Sequence, residues 1–173
     1  MDANLKNKRM KKFGLWLCIL IVLISCVSQE ADLTPTSLPH TAIEAQEVLI
    51  RFFDLLNSKQ YTEANILYGG SYQGLQEWNP DIDPLNHVML LTRACEQNGL
   101  QCLKTRTTKF KKLQGNSYIF QVEFTNPDGS LFVRGPCCGA NDTDMPPESQ
   151  FEYEVAITSE GKFLVMDLPP YVP

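Results

Sequence analysis

The chain has 173 residues and a formal charge of −5. Five of its 15 basic residues lie before residue 26, whereas only Asp2 of its 20 acidic residues does; the remainder therefore carries 10 basic and 19 acidic side chains, net −9. Such a surface repels a phosphate backbone, which excludes nucleic acid as an expected partner, and the roughly 130 residues beyond the N-terminal segments suit a single domain.

Lys6, Lys8, Arg9, Lys11 and Lys12 precede an apolar run at residues 13–24. As a helix this run covers about 18 Å, short of the roughly 30 Å hydrocarbon core, so it reads as a signal peptide rather than a permanent span. The run closes on Leu23-Ile24-Ser25-Cys26, which resembles the lipobox of a bacterial lipoprotein. That resemblance implies removal of residues 1–25, lipidation of Cys26, and an exported protein anchored by lipid on the extracytoplasmic side of the cell membrane. An ordinary secretory peptide or a short anchor, with Cys26 incidental, is the alternative. Residues 26–41 hold Ser28, Thr34, Pro35, Thr36, Ser37 and Pro39 and read as a flexible tether spanning on the order of 20 Å.

Residues 42–173 carry the domain. Thr41-Ala42-Ile43-Glu44 is a capping-box pattern, and Val48, Leu49, Phe52, Phe53, Leu55 and Leu56 follow at mostly helical spacing, predicting a helix that ends near Asn57-Ser58. A second helix is predicted at residues 61–68, stopped by Gly69-Gly70. Asp83-Pro84 predicts the start of a third, with Leu85, Val88, Met89 and Cys95 on its buried side and Asn98-Gly99 at its end. From residue 103 the period changes to two. Residues 103–113 read as one strand, and Tyr118, Phe120, Val122 and Phe124 alternate with more polar neighbours in the next. The turn Asn126-Pro127-Asp128-Gly129 then leads to Leu131-Phe132-Val133 as a hairpin. Phe151, Tyr153, Val155 and Ile157 begin a second pair, turned by Ser159-Glu160-Gly161 and returning over residues 162–168. Lys109-Phe110-Lys111-Lys112 fits a solvated face or a protected edge. The order predicts an α+β fold, with N-terminal helices packed on an antiparallel sheet of four to six strands.

This order, together with residues 48–57 (VLIRFFDLLN) and Tyr61-Thr62-Glu63-Ala64, resembles the NTF2-like, or cystatin-like, superfamily. The resemblance covers roughly residues 41–168 and implies a long first helix seated in a strongly curved sheet, forming a cone. It implies no single activity, because that fold hosts enzymes, binding modules and assembly domains.

Cys95, Cys102, Cys137 and Cys138 remain beyond Cys26, and in an oxidising compartment paired structural cysteines are expected. Neighbours 137 and 138 would close a strained ring, so the expected staple links each of them to Cys95 or Cys102. The alternative is a vicinal redox switch or a thiolate metal site. Asp81, Asp83 and His87 are candidate ligands for a divalent cation, set against the simpler reading of a turn and a helix start. The segment Asn141-Asp142-Thr143-Asp144 lacks the glycine and terminal glutamate of an EF-hand and reads as a solvated connection.

Enzymes of the resembled superfamily place an acid–base pair inside the cone, for which Asp54, Tyr68, Tyr72, Glu123 and His87 are the candidates. Asp54 lies beside the apolar stripe and Glu123 on the polar phase of its strand, so neither spacing aims a carboxylate inward. No serine elbow, phosphate loop or HExxH motif occurs, and no cofactor is expected. The expected protein is a noncatalytic envelope lipoprotein that binds a small molecule, peptide or partner protein. An envelope enzyme and a homodimeric scaffold are the alternatives.

Overall fold

The computed structural model describes residues 40–173; the expected signal peptide, Cys26 and residues 27–39 of the expected tether lie outside them. The first helix, α1 (His40–Asn57), begins slightly ahead of the expected cap and buries Ala42, Ala45, Leu49, Phe52, Phe53 and Leu56 along one face. Helix α2 (Tyr61–Leu67) follows after a tight turn in which Lys59 takes a left-handed φ of 61°.

A third helix, α3 (Gln73–Trp78), is one that periodicity does not reveal: its six residues contain Gly74 and bury a single side chain, Leu75. The next helix, α4 (His87–Glu96), starts later than Asp83-Pro84 suggests. Asn86 is its cap, accepting the Met89 N–H at 3.1 Å, while the Asp83 carboxylate accepts the N–H of Leu85 within the preceding turn. This later start rotates the buried face. Leu90, Leu91 and Ala94 face the core, whereas Leu85 and Met89, expected inside, are exposed.

The sheet is an antiparallel meander of β1 (Lys104–Gln114), β2 (Ser117–Thr125), β3 (Phe151–Ile157) and β4 (Phe163–Val165), in that spatial order. The β2 alternation is as the sequence predicts, with Tyr118, Phe120, Val122 and Phe124 buried. Two register shifts bend the edge strand β1, between Thr105 and Thr107 and between Phe110 and Lys112. Lys109, Lys111 and Lys112 project from this edge into solvent, where lysines discourage pairing with another sheet. The hairpin expected at residues 126–133 is reduced to a single bridge between Thr125 and Leu131, after which the chain enters a long irregular connection to β3.

The helices pack on the sheet, giving the α+β architecture. Phe53 is fully buried, and its ring meets Phe124 and Tyr153 edge-on, each with centroids 4.9 Å apart. Among the described residues no helix is long and apolar enough to cross a membrane.

Candidate functional site

The four cysteines of the domain are paired differently from the expected staple. Cys95 at the end of α4 bonds to Cys102, only seven residues on, while Cys137 and Cys138 are free thiols. The turn at Gly99 explains this local closure. Gly99 adopts φ 89°, and a side chain there would meet the Val172 carbonyl oxygen at 2.1 Å. The chain thus reverses tightly between the two cysteines, bringing their Cα atoms to 5.6 Å, within the span a disulfide needs.

The same turn anchors the C-terminus. Val172 donates its N–H to Gly99 O at 3.0 Å, Gln101 donates to Pro170 O at 2.8 Å, and the Tyr171 ring lies 4.9 Å from that of Trp78. Tyr171 and Val172 thereby become one wall of a cavity of about 260 Å³, completed by Arg134, Pro136, Cys137 and Met145. Arg134 forms an ion pair with Glu148 and places its guanidinium 5.4 Å from the centre of the Phe151 ring.

The connection that supplies Cys137 and Met145 is folded by its own polar groups. The Asn141 carboxamide oxygen accepts the N–H groups of Thr143 and Asp144 at 2.8 and 3.0 Å, and Asn141 O accepts that of Met145 at 2.9 Å. Met145 is returned to Cys137, whose N–H points at its thioether sulfur at 3.3 Å. Cys138 has a left-handed φ of 59°, and its sulfur lies 2.9 Å from that of Cys137. The hydrogen bond with Cys138 pushes the Cys137 thiol pKa upward, and the Arg134 charge acts in the opposite sense.

The cation candidates are engaged separately. Both Asp81 oxygens accept from Arg93 at 2.6 Å, and that hydrogen bond holds the Asp81 carboxyl below its usual range. Asp83 holds its turn, and His87 lies flat on Tyr72 with ring centres 3.9 Å apart. Among the described residues no group of three His, Cys, Asp or Glu side chains is placed to hold a metal ion.

Of the acid–base candidates, the structure brings Tyr68, Tyr72 and His87 together. Tyr68 and Tyr72 meet edge-on at 5.0 Å, and their hydroxyls donate to Ser71 O and to the Asn65 side chain. Glu123 lies on the opposite side of the sheet, bonded to Gln150 and Thr107, which lower its pKa. Asp54 borders a shallow groove on α1 with Glu47 and Arg51.

Asp167 is a partly buried carboxyl that is not among the acid–base candidates named from the sequence. Burial raises its pKa although its carboxylate accepts the Glu154 N–H at 2.7 Å. Burial, and then the charge of Asp167, pushes Tyr68 up to about 12 and raises Tyr153 as well. In the strand expected over residues 162–168 Asp167 falls on the phase of the buried Val165, although β4 itself ends at Val165. No protein-family model and no curated protein matches the chain.

Proposed function

We propose that this protein is a noncatalytic, lipid-anchored binding protein of the cell envelope, with an NTF2-like domain held off the membrane by residues 26–39. The observation that carries the binding role is the corner cavity of about 260 Å³, where Pro136, Met145, Tyr171 and Val172 offer apolar contact beside the Arg134 guanidinium. An apolar pocket with a few placed polar groups suits a small molecule or a short peptide side chain. The volume between α1 and the sheet, where an enzyme of this fold would seat its substrate, is filled by Phe52, Phe53, Phe120, Phe124 and Tyr153.

A fragment screen read by amide chemical shifts tests the binding role. Hits are expected to perturb Gly135, Cys137, Tyr171 and Val172; hits confined to the Glu47–Arg51–Asp54 groove, or none, would overturn it. The anchor rests on Leu23-Ile24-Ser25-Cys26. Wild type is expected in the membrane fraction with added lipid mass, and Cys26→Ser without it, because serine cannot form the thioether to the first lipid.

A further inference from the structure

We propose that Cys137, Cys138 and Met145 form a three-sulfur site for a soft monovalent cation, cuprous copper, at the edge of the corner cavity. The proposal deepens the binding role assigned to that corner and rests on it. Two observations converge on these residues. The first is that Cys95 and Cys102 satisfy each other, leaving the remaining thiols side by side, Cys137 half-buried and Cys138 exposed. The second is the fold of the connection: Asn141 turns it back so that the Met145 thioether meets the backbone of Cys137.

The donor set selects the ion. Thiolates and thioethers are soft ligands that favour Cu(I), whereas magnesium, calcium and manganese prefer oxygen. Adjacent residues across a trans peptide hold their Cα atoms about 3.8 Å apart, below the usual span of a disulfide, so chelation demands less distortion than a bond between these two sulfurs. Binding would form two copper–thiolate bonds and one copper–thioether bond, releasing both thiol protons to solvent. Copper stays in its monovalent state throughout, and the bound centre carries one negative charge beside Arg134. The left-handed backbone at Cys138 is a further mark, because a residue other than glycine is costly there.

The test titrates the full chain with Cu(I) under anaerobic conditions, against bathocuproine disulfonate as competing chelator. It follows mild reduction, with alkylation and mass mapping to establish that Cys95–Cys102 stays closed. Cys137→Ser/Cys138→Ser and Met145→Leu are compared with wild type; Cys18 and Cys26 are common to all three and cancel in the difference. Wild type should retain one more equivalent of copper than the double variant, and Met145→Leu should weaken that equivalent on the order of tenfold. Equal retention by wild type and the double variant would sink the site. So would unchanged affinity in Met145→Leu, or zinc held more tightly than Cu(I). Parallel fragment mapping separates this result from the broader reading: fragments at the corner without the extra copper overturn the copper site alone. The extra copper without fragments sustains the sulfur site and removes the apolar ligand.

Discussion

The helix–sheet core and the corner connection at residues 134–148 are held by different forces. In the core, α1 contributes six buried apolar side chains against the inward phase of β2 and β3, and aromatic rings meet at centroid distances near 5 Å. The corner is mostly exposed, and its shape comes from the Asn141 carboxamide, the bridge between Arg134 and Glu148, and one N–H to sulfur contact. Side chains in the first region set stability. Those in the second can change with little effect on folding, which leaves them available for binding.

The sharpest way to break this comparison is to empty the core. Phe53→Ala removes a ring packed on Phe52, Phe124 and Tyr153, and is expected to lower unfolding free energy by about 3–5 kcal/mol in urea denaturation. A loss below about 1 kcal/mol would show that the helix–sheet seam does not dominate stability.

The disulfide closes the turn after α4 that holds the C-terminal wall of the cavity, and it should have an intermediate effect. Opening a loop as short as that between Cys95 and Cys102 costs about 2.5 kcal/mol on the chain-entropy model. Because Gly99 and Gln101 hold the C-terminal wall of the cavity, the double serine variant should also speed amide exchange at Val172, whose N–H bonds to Gly99 O. Destabilisation without faster exchange there would separate the disulfide from the pocket.

Legibility in the sequence follows the same division. Elements that bury one regular face announce themselves: the α1 stripe and the alternation of β2 and β3 place Leu49, Phe53, Phe120 and Val155 in the core before any coordinates exist. Where a short polar side chain decides, periodicity is silent. Asp83 and Asn86 both have capping chemistry, and only the folded chain shows which begins α4. One turn of helix around Leu75 leaves no periodic trace. Cysteine pairing depends on the reversal at Gly99, and the approach of Met145 to Cys137 depends on a turn made by Asn141, so neither follows from spacing along the chain. Tyr68, Tyr72 and His87 were candidates on chemistry, but their stacking required the relative placement of three helices and a loop.

The smallest expected effect has the opposite sign. Cys138 occupies the left-handed region, where a side chain costs about 1–2 kcal/mol and glycine sits freely; part of that gain is offset by glycine's greater entropy when unfolded. Cys138→Gly should therefore stabilise the protein by no more than about 1 kcal/mol, measured by urea denaturation of the reduced chain. The same substitution removes one of the three sulfurs and should abolish the extra copper equivalent. A stabilised variant that no longer holds copper would show that the backbone strain at Cys138 serves to present its thiol. A variant that is destabilised would mean that the Cys138 side chain supports the fold, and the contrast between a structural core and a permissive corner would fail at this residue.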